Sequence, residues 1–188
     1  MVNIVFLFLD LLAQQKIKTI GDAYMCVGGL PIRNRSNPVD IVLAALEIQR
    51  YMKILKKERV ANGESFWDLR IGIHTGELIA GVVGTKRFAY DVWGDTVNTA
   101  SRMEASCDIG KVNISGATYK VAKEFFICNY RGKVQAKNKG EIDMYYVERI
   151  RPELSIDGKG DIPNEAFNDR IEHMLYSKIN YKKAEHHI

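Results

Sequence analysis

Asn98 and Arg102 stand four residues apart in the run Asp95-Thr-Val-Asn-Thr-Ala-Ser-Arg-Met-Glu104, a spacing that projects both from one side of a helix. An amide beside a guanidinium suits an oxygen-rich polyanion, because arginine grips phosphate with a planar fork of donors. Asp91 and the apolar Trp93 lie just upstream, at the end of a short extended piece. Earlier in the chain, Gly21-Asp22 separates two alternating runs. A carboxylate at such a turn sits near backbone donors and solvent, a usual setting for a Mg²⁺ ligand. Lys18 alternates with Ile17 and so points to the opposite face of its strand. Lys133, Lys137 and Lys139 gather positive charge at a late hairpin tip, able to attract phosphate or to stay solvated. Taken singly, each also has a plain reading: a solvated helix face, an ordinary turn aspartate, a solvated strand lysine. His74, in a turn, reads as structural rather than catalytic.

The elements that must position these groups follow from periodicity. Ile17 to Ile20 and Ala23 to Val27 read as a hairpin about Gly21-Asp22. Asn37-Pro38 supplies an N-cap and a first-position proline for a helix whose buried stripe is Ile41, Ala45, Ile48, Met52 and Leu55. Leu69, Ile71 and Ile73 alternate in a strand, and His74 to Glu77 turns. Leu78 to Val83 is apolar on both faces, which predicts a central strand. Tyr90 to Trp93 is extended, with Trp93 expected to be buried. The next helix starts near Asp95, with Asp95 and Thr96 as N-cap types and Val97, Ala100 and Met103 as its packing face. Val112 to Ile114 is a short strand, and Ser115 caps a small helix to about Ala122. Ile127 to Lys137 and Ile142 to Val147 form the last hairpin, joined through Asn138-Lys-Gly140. From about Arg149 the composition shifts to a linker containing Gly158-Lys-Gly160 and Pro163. Phe167, Ile171, Met174 and Leu175 mark an amphipathic helix before a polar tail, free to dock on the domain or on a partner.

The 188 residues allow one domain with a modest appendage and a real core. A formal charge of +4 is mildly basic, and no basic stripe with interleaved aromatics is present, which argues against nucleic acid. The three cysteines lack metal-ligand spacing and read as reduced thiols of a cytosolic protein. Met1 to Ala13 is apolar but far shorter than the roughly 20 residues needed to span a bilayer. Asp10 lies inside it and no basic region leads it, so it reads as an amphipathic helix on a sheet rather than an export signal.

The motifs Lys18-Thr-Ile-Gly-Asp22-Ala-Tyr-Met25 and Tyr90-Asp-Val-Trp-Gly-Asp-Thr-Val-Asn-Thr-Ala-Ser-Arg-Met103, with Leu69-Arg-Ile-Gly-Ile-His-Thr-Gly76 between them, resemble the class III adenylyl/guanylyl cyclase catalytic domain. The resemblance runs over residues 4 to 148 and leaves 149 to 188 as a C-terminal appendage. It implies an α+β palm with ferredoxin-like βαββαβ topology, paired head to tail with a second cyclase domain, a homodimer being expected. It implies conversion of ATP to 3′,5′-cyclic AMP and pyrophosphate by in-line attack of the ribose 3′-hydroxyl on the α-phosphorus, with two Mg²⁺ or Mn²⁺ ions. Asp22 matches one of the two metal-holding aspartates. Lys18 and Asp91 match the two purine-reading positions, Asn98 the ribose-orienting residue and Arg102 the residue that offsets phosphate charge. Lys137 matches the late lysine that meets the terminal phosphates. A lysine that donates to a ring nitrogen and an aspartate that accepts from a 6-amino group complement adenine. Guanylyl cyclases resemble one another in having Glu and Cys there.

The family's opening strand and loop, of the type Phe-x-Asp-Ile-x-Gly-Phe-Thr, carries the other metal aspartate and has no match in this sequence, so the expected palm is N-terminally truncated. That strand belongs in the middle of the family's sheet, and without it strand edges are left unpaired. Two classes of function follow from the resemblance: an adenylate cyclase domain of cytoplasmic signalling, or a cyclase-like module that pairs and holds nucleotide with impaired turnover.

Overall fold

The computed structural model describes residues 14–136 and 140–176. The helix expected over Met1 to Ala13, and Lys137 and Lys139 at the late hairpin tip, lie outside the described residues. The first hairpin forms as its alternation predicts. Strand β1 (Gln14–Ile20) pairs antiparallel with β2 (Ala23–Gly28). Gly21 takes φ +60° at the first turn position, where only glycine is unstrained, and this leaves Asp22 on the exposed tip.

Helix α1 (Asn37–Ala61) starts one residue earlier than expected, with Ser36 rather than Asn37 as N-cap and Pro38 in the first turn. Asn37 is already helical, and its backbone N–H is satisfied by the Asn34 side chain at 2.8 Å. The buried stripe is also rotated. Val39, Val42, Ala45 and Gln49 are buried, while Ile41, Ile48, Met52 and Leu55 of the predicted stripe are half-buried. The first half of α1 is apolar nearly all round, so periodicity alone did not single out one face. Gln49 is buried because its amide donates to the carbonyls of Leu69 and Lys111, at 3.0 and 3.1 Å.

Strand β3 (Ile71–Ile73) lies parallel to β6 (Val112–Ser115), which pairs antiparallel with β8 (Gly140–Ile150), itself paired with β7 (Phe126–Ala136). The order β3-β6-β8-β7 makes a four-stranded sheet. Its two faces follow the strand alternation. Ile73, Val112 and Ile114 join Val39, Val42 and Ala45 of α1 in the main core, with Phe126, Val147 and Ile150. On the other face, Gly72 and Asn113 meet helix α2 (Asp95–Ala105). A Cβ at Gly72 would stand 1.9 Å from the Glu104 nitrogen, so glycine is what lets the backbone of α2 lie on β3. Asn113 donates from Nδ2 to the Met103 carbonyl at 2.8 Å and ties α2 to β6.

Strand β4 (Ile79–Val83) pairs with β5 (Ala89–Trp93) in a separate two-stranded sheet. This overturns the expected central strand: Ile79 is 72% exposed, and Val82 and Val83 are exposed too. An apolar run registers hydrophobicity, and a strand that would read as central also reads so when its faces await a partner. Trp93, expected buried, is 39% exposed on the same sheet. Among the described residues β1 and β2 pair only with each other, and β3 borders the four-stranded sheet, in line with the unpaired edges expected.

Ser115 caps helix α3 (Gly116–Ala122), its side chain accepting from the Thr118 N–H as expected. The segment read as linker is packed rather than loose. Leu154 and Phe167 are buried in the main core, and Ile171 and Met174 of helix α4 (Glu165–Tyr176) lean against it. Thus the amphipathic helix docks on its own domain. No helix among the described residues is long and apolar enough to cross a membrane.

Candidate active site

Lys18 leaves β1 and Asp91 leaves β5, 73 residues apart in sequence, yet Lys18 Nζ donates to Asp91 Oδ2 at 2.7 Å. The side chains are 41% and 18% exposed, so the pair stands at the surface with the carboxylate more enclosed. Asp91 Oδ1 accepts from the Val92 backbone N–H at 2.9 Å, which fixes the carboxylate's plane. The Lys18 hydrogen bond, then the Val92 N–H, hold the Asp91 carboxyl below the usual aspartate range. The two expected base-reading residues are therefore brought together, one a cationic donor and the other an ionised acceptor.

Asp91 feeds through Val92 to Gly94, the true N-cap of α2, which takes φ +130°. The helix begins at Asp95, and the expected caps Asp95 and Thr96 fall inside its first turn. Its buried face is Thr96, Thr99 and Met103 rather than Val97, Ala100 and Met103. The threonines bury because their hydroxyls are satisfied: Thr96 donates to the Glu77 carbonyl, and Thr99 to the Asp95 carbonyl at 2.9 Å. That rotation leaves Asn98 and Arg102 on the exposed side, one turn apart. Arg102 Nη1 donates to the Gln135 carbonyl of β7 at 3.0 Å, which engages one of the five N–H donors of a guanidinium.

The groups that hold α2 in place were less visible in the sequence. Arg131 of β7 donates to the Ser106 carbonyl at the end of α2 and to Asp108 Oδ1 at 3.2 Å, with its guanidinium over the Tyr146 ring at 4.8 Å. His74 Nδ1 lies 2.7 Å from Ser115 Oγ, within a hydroxyl chain that continues to Thr118 and Thr75. The expected structural role of His74 is what this contact provides. No spacing rule finds the Gln135 carbonyl, since a main-chain oxygen carries no residue signature.

Asp22 is exposed at the β1–β2 tip. Among the described residues no three His, Cys, Asp or Glu side chains gather to hold a metal ion. One carboxylate at a turn offers a single ligand, so the described residues do not by themselves fit a divalent-metal site, let alone a two-metal one. Lys133 of the late hairpin is tied to Glu141 at 3.1 Å, so its charge is partly neutralised.

The family model described as "Adenylate and Guanylate cyclase catalytic domain" matches residues 1–149. Guanylate cyclase 32E of Drosophila melanogaster is 42% identical over 149 residues, covering 76% of this chain and 12% of that protein. An adenylate cyclase of Mycobacterium bovis is 38% identical over 133 residues, covering 71% of this chain and 29% of that protein. The chain thus spans less than a third of either relative's length. The crystal structure of the guanylate cyclase domain of RhGC from Catenaria anguillulae in complex with GTP superposes with a TM-score of 0.67 at 36% identity, covering 78% of this chain and 81% of that one. Relatives of both nucleotide types match, and the α+β fold is shared with them. With the fold and the matched region in agreement, the chain belongs to the adenylate and guanylate cyclase catalytic domain family.

Proposed function

We propose that this domain acts on ATP, forming 3′,5′-cyclic AMP and pyrophosphate, as one half of a head-to-tail pair of identical domains. The single observation that carries the reading is the 2.7 Å pair of Lys18 and Asp91. Adenine offers an acceptor at ring N1 and a donor at the 6-amino group; guanine reverses both. Lys18 donates to N1 and Asp91 accepts from the 6-amino group, so guanine would set its carbonyl against a carboxylate. A site built around charged hydrogen bonds rejects the wrong pattern strongly, because its polar groups are then left unpaired.

Downstream of the base, the Asn98 amide orients the ribose. The 3′-oxygen forms its bond to the α-phosphorus as the bond to the β-phosphate oxygen breaks, the hydroxyl proton is lost, and pyrophosphate departs. Arg102, anchored through Nη1 on Gln135, turns its remaining donors to the charge that grows on the phosphoryl oxygens. Lys137 supplies charge toward the terminal phosphates. Asp22 would offer a single carboxylate to a Mg²⁺ or Mn²⁺ ion, whose remaining ligands would have to come from outside the described residues. The exposed apolar side chains Ile79, Val82, Val83 and Phe88 support a partner domain, since such a cluster costs free energy when left in water.

The test is product analysis with the full chain, ATP or GTP, and Mn²⁺, over a range of protein concentrations. Cyclic AMP formed faster than linearly with concentration, and shifted toward cyclic GMP by Lys18→Glu with Asp91→Cys, is the expected result. Preference of the unaltered chain for GTP would overturn the base assignment. Nucleotide binding without any product would favour the module with impaired turnover.

A further inference from the structure

Gly81 stands directly across the β4–β5 ladder from Asp91, so the two positions face the same way. Glycine weakens a strand interior and often marks a close approach of another group. Other glycines in the described strands have a structural reason. Gly132 and Gly140 take φ of +116° and +68°; a Cβ at Gly28 would lie 2.8 Å from Ile41, and at Gly72 it would strike the backbone of α2. Gly81 has neither constraint. A Cβ there would meet only the Trp93 ring, at 3.7 Å, which is ordinary van der Waals contact. The fold has room for a side chain at this position and does not use it.

What the missing side chain leaves open is the approach to Asp91. Along this face Asp91 is flanked by Trp93 and Ala89 on its own strand and by Ile79 and Val83 diagonally on β4. Ile79, Val83 and Trp93 are exposed. A flat ring with apolar faces and a polar edge fits such a surface: its edge meets the Asp91–Lys18 pair, and its face lies over the gap between Trp93 and Val83.

We propose that Gly81 is a substrate-positioning residue, a gap in β4 through which the purine ring of the nucleotide reaches Asp91 and Lys18. This rests on the base-reading role given to that pair above, and it holds for either purine. The experiment compares the full-length wild type with Gly81→Ala and Gly81→Val, measuring calorimetric affinity for ATP, GTP and inorganic tripolyphosphate, and thermal unfolding of each. Because a Cβ at position 81 makes only ordinary contact and either substitution removes a strand glycine, melting temperature should hold or rise. Purine nucleotide affinity should fall in graded fashion, a few-fold for Ala and about tenfold or more for Val, as expected of overpacking. Tripolyphosphate, which has no base, should bind all three proteins equally. Unchanged nucleotide affinity in Gly81→Val overturns the proposal. So does parallel loss of tripolyphosphate, which would mark a structural effect. A wild type that prefers GTP but loses it in Gly81→Val supports the gap while refuting the ATP assignment. Binding of neither purine by the wild type overturns both.

Discussion

Replacing Phe167 by alanine tests whether the chain beyond the 149 family-matched residues is part of the folded domain. The Phe167 side chain is 2% exposed. Its ring meets Phe125 edge-on with centroids 5.2 Å apart, and Phe126 at 6.0 Å. Truncating a buried phenylalanine costs roughly 3–5 kcal/mol through lost transfer and the cavity left behind. Within that sum the two edge-to-face contacts account for about 0.5–1.5 kcal/mol each. With a urea slope of about 2 kcal/mol/M for a domain of this size, the unfolding midpoint should drop by about 2 M. Circular dichroism and tryptophan fluorescence, read on the same samples, should give one coincident transition. Tyr176→Ala, at an exposed position of the same helix, serves as control and should stay within about 0.5 kcal/mol. A Phe167→Ala midpoint within about 0.5 M of the wild type would refute the reasoning, because it would mean that α4 adds nothing to the core.

Further predictions address the site and its supports. Arg102→Ala should lower cyclic nucleotide formation by about 10²–10³ with little change in melting temperature, read by product assay and calorimetry. Gly72→Ala should be severely destabilising, in contrast to Gly81→Ala, because its Cβ would meet the α2 backbone; soluble expression and thermal melting check this. Asp91 is depressed chiefly by Lys18, so its contribution to stability is complete above the ordinary aspartate value and fades as pH falls through the lower folded value. Asp91→Asn should therefore flatten part of the acid limb in urea titrations below about pH 4, and leave the profile near neutrality unchanged in shape. Burial pushes the Cys26 and Cys128 thiols up to about 11, so neither should react with a thiol reagent at pH 7.5 until the chain is unfolded.

Local chemistry alone was enough to read the first hairpin, the Ser115 cap and the α4 helix, because turn glycines, N-cap hydroxyls and helical spacing act over a few residues. The motif order around Lys18, Asp22, Asp91, Asn98 and Arg102 was likewise legible in the sequence, as residue types at set separations. Which side of each helix turns inward was not. In α1 apolar residues occur nearly all round, and the sheet buries Val39 and Val42 beside Ala45, the one residue of the expected stripe that is fully buried. In α2 two threonines went inside because the chain supplied a carbonyl for each hydroxyl, a match that spacing does not encode. The all-apolar β4 reads as a central strand, whereas it lies on an exposed two-stranded sheet, since hydrophobicity records the tendency to be covered and not what does the covering. The segment after Arg149, polar and glycine-rich enough to pass for linker, is held by two buried anchors, Leu154 and Phe167. Most of all, the meeting of Lys18 with Asp91 across 73 residues needed the tertiary structure: sequence assigns a donor and an acceptor, but only the packing of β1 beside β5 makes them one site.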